Sequence, residues 1–146
     1  MAITSAICNS FKQEILEAEH NFTATTGNTF NLALYTSSAT LGASTTAYSS
    51  TNEITNTSGS AYSAKGKALT SVTPTLDSST AVCDFADVSW TSASFTARGC
   101  MIFNDSHSTD ASVCVIDFGG DKTATSGTFT IQFPAAGAST AIIRIA

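Results

Sequence analysis

Between Ser94 and Gly120 the chain alternates apolar and polar residues with a period of two, on either side of a short polar stretch. Phe95, Ala97, Gly99, Met101 and Phe103 alternate with Thr96, Arg98, Cys100 and Ile102; further on, Val113 and Val115 alternate with Cys114, Ile116 and Phe118. A strand points successive side chains to opposite faces, so this pattern specifies sheet rather than helix. Both faces carry apolar residues, as expected of strands near the middle of a sheet. The intervening Asn104–Asp110, NDSHSTD, holds turn formers and no apolar residue, which predicts a long hairpin.

The remaining segments extend the same theme. Thr29–Thr36 is predicted as a strand with Phe30, Leu32 and Leu34 on one face. Lys67–Thr75 and Thr80–Trp90 are two more, the second with a bulge before Val88 and Trp90. Asp117–Gly127 is rich in turn formers and predicts a link, with Gly119 and Gly120 free to take positive φ. Thr128–Phe133 ends at Pro134, and Ile142, Ile143 and Ile145 mark a closing strand. One helix is expected, residues 4–19, capped by Thr4 or Ser5, with Ile7, Phe11 and Ile15 on one face. Glu14, Glu17 and Glu19 lie toward its C-terminal end, where the helix dipole disfavours negative charge, so packing must hold it. From Ser37 to Ser63 the chain is Ser/Thr/Asn/Gly-rich, a surface excursion anchored by Leu41, Tyr48, Ile54 and Tyr62, with short strands near Thr45–Thr51 and Ala61–Ala64. A loop of this length is functional or mobile, and contact with a partner is the function expected here.

Strands without βα alternation, and no repeat or linker, predict an all-β fold: one antiparallel β-sandwich domain over residues 1–146, jelly-roll-like, with an N-terminal helix. The composition agrees, since 21 Ser and 24 Thr replace much of the usual charge. Charged residues are 12% of the chain and the formal net charge is −5. Lys65 and Lys67 are the only close basic pair, so phosphate neutralisation along a nucleic acid is not expected. No secretory signal pattern and no bilayer-length apolar run are present, and the expectation is a soluble chain made in a cytoplasm.

Chemistry-bearing residues are sparse. Cys8, Cys83, Cys100 and Cys114 fall in no CxxC spacing and read as free, buried thiols; a Cys100–Cys114 bridge requires a register that sets them opposite. His20 and His107 are the only imidazoles. His107 with Asp105 or Asp110 would be needed for a Ser–His–Asp site, but it sits in the NDSHSTD turn. Asp84 with Asp87, and Asp117 with Asp121, lack regular calcium-loop spacing. No catalytic, metal or cofactor site is expected.

Four ordered blocks, TFNLALYTSSATLGASTTAY, AYSAKGKALTSVTP, DFADVSWTSASFTARGCMIFND and VIDFGGDKTATSGTFTIQFP, together with the N-terminal CNSFKQEIL, make the chain similar to a family of small virion proteins of tailed bacteriophages. The sequence departs from that pattern at Ala64–Lys67, where a second glycine is expected beside Gly66. The resemblance implies a non-enzymatic virion component, in first place a capsid decoration (cement) protein. Its partner would be the major capsid protein and its location the outer capsid surface, as a homotrimer or homodimer, with no nucleic acid and no membrane. The alternative is a tail, fibre or host-adhesion module, in which Tyr35, Tyr48, Tyr62 or Trp90 would stack on sugars. Ile7, Phe11, Ile15, Leu41, Tyr48 and Ile54 are the candidate interface residues.

Overall fold

The computed structural model describes residues 2–55 and 59–146; the part of the Ser/Thr-rich excursion at 56–58 lies outside the described residues. The predicted hairpin is the spine of the molecule: β6 (Val88–Asn104) pairs antiparallel with β7 (Ala111–Ile131), from Asn104↔Ala111 to Val88↔Ile131. The polar NDSHSTD stretch makes the turn, with the His107 N–H on the Asn104 carbonyl and the Asp110 N–H on that of His107. Two other strands flank the spine. β2 (Phe30–Tyr35) pairs with β6 over its whole length, and β1 (Ala6–Ile7) pairs with β7 at Val115 and Cys114. β3 (Lys67–Ala68) completes a five-stranded sheet of order β1-β7-β6-β2-β3. A second sheet of order β4-β5-β8 uses Ser71–Asp77, Thr80–Phe85 and Ile143–Ile145. The fold is therefore all-β and sandwich-like, and both sheets feed one core: Phe85 of β5 lies 6.0 Å from Phe30 of β2 and 5.5 Å from Phe133.

Several boundaries differ from expectation. Thr80–Trp90 is not one bulged strand: the chain leaves the small sheet after Phe85 and enters the large one at Val88. Ala86 and Asp87 make the crossing, and Asp87 is held by accepting the Phe133 N–H. Lys67–Thr75 divides in the same way, into β3 and β4. The excursion forms single bridges, Tyr35↔Glu53 and Ala47↔Ala111, in place of strands near Thr45–Thr51 and Ala61–Ala64.

The helix, α1, spans only Asn9–Leu16. Ala6 and Ile7 are drawn into β1, where pairing with β7 satisfies their backbone, so Cys8 and not Thr4 or Ser5 precedes the first turn. Cys8 offers no side-chain cap; the Asn9 N–H bonds the Ala43 carbonyl instead. Ser5 accepts the Asp117 N–H. Glu17 and Glu19 fall beyond the helix, and Glu14 meets His20 at 2.8 Å.

Asp117–Gly127 is not a link between strands but part of β7. Gly99 faces Asp117 and Ala97 faces Lys122, so Phe118–Asp121 stand opposite the single residue Arg98. Gly119, at φ +73°, takes the left-handed conformation that this bulge needs; Gly120 does not. Arg98 closes the bulge by pairing with Asp117 at 3.0 Å and reaching Asp121 at 3.8 Å. All four cysteines are buried and free: Cys100 stands opposite Ile116 and Cys114 opposite Ile102, a diagonal that does not bridge. Burial pushes the Cys83 and Cys100 thiols up to about 12.

At Ala64–Lys67 two successive residues take left-handed backbone. Lys65 adopts φ +68°, a left-handed position, and Gly66 follows at φ +66°. Left-handed backbone costs a non-glycine residue roughly 1–2 kcal/mol, and Lys65 offsets part of it by pairing with Asp105 at 2.8 Å and Asp110 at 2.9 Å. Gly66 has no such freedom, because an added Cβ would run into the Leu32 carbonyl oxygen. Gly66→Ala is therefore expected to cost at least about 3 kcal/mol in urea unfolding. Gly120→Ala, with open space around the added methyl, should stay within about 0.5 kcal/mol.

Candidate interaction surface

The six residues expected at an interface do not form one exposed patch. Phe11 is buried against His20 and Phe22, at ring distances of 4.9 and 6.0 Å. Ile54 is buried and donates its N–H to the Leu34 carbonyl. Ile7 lies in β1 opposite Cys114, off the helix, so the Ile7–Phe11–Ile15 stripe does not exist as a helix face. Ile15, Leu41 and Tyr48 are half-buried and pack on the core, Leu41 through a bridge to Ile3.

Tyr48 belongs to a buried polar cluster that pins the excursion to the large sheet. Glu53, 7% exposed, accepts from the Tyr62 hydroxyl at 2.7 Å and the Tyr48 hydroxyl at 2.5 Å. Tyr62 in turn accepts the Leu34 N–H at 2.9 Å, and Tyr35 donates to the Ser49 carbonyl. Burial, with Glu53 adding to it, pushes Tyr48 up to about 12 and Tyr35 and Tyr62 higher. Tyr35, Tyr62 and Trp90 are buried within the chain. A sugar-stacking platform needs exposed ring faces, and these rings are used inside.

The titratable groups weighed for catalysis are likewise committed. Asp105 and Asp110 both face Lys65, and His107 instead accepts from Thr109 and approaches Glu19 at 3.4 Å. His20 is buried between Glu14 on Nε2 and Asn104 on Nδ1, which the Nε2–H tautomer satisfies on both sides. Asp84 accepts the Phe85 N–H. Among the described residues no group of three or more His, Cys, Asp or Glu could hold a metal ion.

What remains open is β7. β1 covers only Cys114 and Val115, so from Ile116 to Ile131 the outer edge of β7 has no strand neighbour among the described residues. The inner face of this stretch follows from the register. Ile131, Phe129, Ala124 and Lys122 stand opposite Val88, Trp90, Phe95 and Ala97, all four buried. Residues directly opposite share a face, so these β7 side chains point inward. Phe129 is itself buried, Ala124 and Ile131 are half-buried against the core, and Lys122 at the end of the row is exposed. A mainly apolar groove of about 600 Å³ is walled by Ile116, Phe118, Phe129, Ile131, Phe133 and Ile142. Lys122 also lines it and carries no ion-pair partner among the described residues. The other long edge, β4, carries Pro74 and a register break between Val72 and Thr75; β7 carries no proline, but its ladder is bulged beside Arg98 and on either side of Ala93. No residue pattern announces the β7 opening, since it depends on where the neighbouring strands stop.

No family model, curated protein or solved structure matches this chain.

The tyrosine cluster sets the alkaline limit. Tyrosine in an unfolded chain titrates near 10, so above pH 10 the unfolded state releases protons that the folded state retains. Stability conferred by the neutral phenols is complete below pH 10 and drains as pH rises toward 12 and beyond, with the buried thiols adding to the loss. Base titration should therefore show tyrosinate absorbance appearing together with loss of the β-sheet signal. Tyr62→Phe, which leaves Glu53 and the Leu34 N–H short of a partner, is expected to cost about 2 kcal/mol in urea.

Proposed function

We propose that this chain is a structural component of a bacteriophage virion, a decoration protein that binds the outside of the assembled capsid. The observation that carries this reading is the uncovered run of β7. From Thr123 to Ile131 the edge bears no charged residue, and it borders an apolar groove. Soluble proteins blunt or cover such edges because they template pairing with other chains. An edge left long and open is one that an assembly covers. The resemblance of the ordered blocks to small phage virion proteins supplies the context, and the major capsid protein is the partner that resemblance implies.

The low charge suits many copies set side by side on a shell, because it limits repulsion between neighbours. The basic groups are mostly occupied within the chain: Lys65 by Asp105 and Asp110, Arg98 by Asp117, and Lys67 by the Ser89 carbonyl beside the Trp90 ring. That distribution leaves little for a phosphate backbone. Decoration works by linkage. A protein that binds only the assembled shell stabilises that state by RT ln(1 + [L]/Kd) and so opposes its disruption by internal pressure. The burial of Tyr35, Tyr62 and Trp90 favours this reading over adhesion through sugar stacking.

The decisive measurement is the copy number of this protein in purified particles, relative to the major capsid protein. A ratio near that of the shell subunit is expected, with particles stripped of it releasing their DNA at lower temperature. A few copies per particle would place it in the tail or fibre, and absence would end the virion reading.

A further inference from the structure

We propose that β7 accepts an added strand from its partner: an extended segment with apolar side chains at alternate positions and one carboxylate placed to meet Lys122. The inference rests on the proposed function only for which chain carries the segment; the addition itself stands on the geometry of the groove.

A strand laid along the outer edge of β7 would lie about 4.8 Å from it and continue the sheet. Its inward side chains would then fall beside Ala124, Phe129 and Ile131, over the groove. Main-chain hydrogen bonds would supply affinity, and alternate side chains in the groove would supply selectivity. The groove's volume of about 600 Å³ is within the range of sites that enclose a bound group.

Lys122 decides the partner's chemistry. It points to the same face as buried Ala97, and a strand covering it with apolar side chains alone would strip water from an ammonium without replacing its contacts. An inward-pointing lysine on an open edge is also a device that discourages indiscriminate pairing. The two roles are compatible. Lys122 penalises purely apolar strands and admits one that brings a carboxylate. The same strand of a second copy does not meet the requirement, because Lys122, Ala124, Phe129 and Ile131, its inward residues, include no acid.

The test uses the full chain with two synthetic peptides of alternating Val and Thr, one with a central inward Glu and the other with Lys at that position. Hydrogen exchange read by mass spectrometry locates binding, and calorimetry measures it. The Glu peptide should slow exchange across residues 122–131 and bind about tenfold more tightly than the Lys peptide. Lys122→Glu, a change at an exposed position, should reverse that order. The proposal is overturned if neither peptide protects β7, if both bind alike, or if Lys122→Glu weakens both equally. Dimerisation through β7 without peptide would also overturn it, in favour of a second copy. None of these results depends on particle copy number, so a failure of the decoration reading remains distinguishable.

Discussion

The antiparallel ladder between β6 and β7 is the constraint on which the rest of the molecule depends. Its two strands are 17 and 21 residues long and outrun every other strand among the described residues. At the turn end, residues 99–104 and 111–115 are buried on both faces, between β2, α1 and the excursion. At the far end the same ladder runs on as a two-stranded ribbon. A ribbon of two strands is marginal alone, and here it is held by aromatic pairs across its inner face, Phe95 on Phe129 at 4.9 Å and Trp90 on Tyr62 at 5.9 Å. The extra residues of β7 are taken up at Phe118–Asp121, where Arg98 fixes the bulge. The overhang and the groove beneath it are thus one structural fact.

The scarcity of charge changes what each charged residue does. Lys65 and Arg98 tie together segments distant in sequence, while Glu14 and Glu53 fix irregular chain to residues nearby. Glu53 is the most consequential. The excursion around it has almost no regular structure, yet Tyr35, Tyr48 and Tyr62 converge on it or its neighbours and join it to β2. A buried carboxyl satisfied by two phenols can hold a chain in one place where hydrophobic contacts would allow several. Sequence periodicity shows no such device, because its members lie apart and are recognisable only once the fold brings them together.

What was legible in the sequence follows the range of the forces involved. The hairpin, its polar turn, the Phe30–Tyr35 strand and the free thiols were readable because alternation and turn chemistry are local. Helix limits were not. A four-residue repeat placed Ile7 on a helix, but the edge of β7 competes for Ala6 and Ile7 and wins, since pairing satisfies backbone groups that a frayed first turn leaves open. The crossing at Ala86–Asp87 resembled a bulge because both strands flanking it are buried and extended. Asp117–Gly127 looked like a link because glycine and threonine in a bulged edge strand and in a loop have the same composition.

The same limit explains why the apolar residues of the excursion do not gather into one exposed patch. Apolar residues in a Ser/Thr-rich stretch stand out, and Leu41, Tyr48 and Ile54 were natural choices for contact. They serve instead as the anchors that a long irregular segment needs to stay on its sheet. The open edge carries residues of no special pattern, four threonines and two phenylalanines among them. Its importance comes from what is not beside it: β1 ends after Ile7, and β8 pairs with β5 on the other layer. In a sandwich whose sheets differ in strand length, an unpaired edge is left where the longer strand runs past its neighbours. Lys122 lines that place without an ion-pair partner among the described residues, in a chain that pairs most of its charges internally.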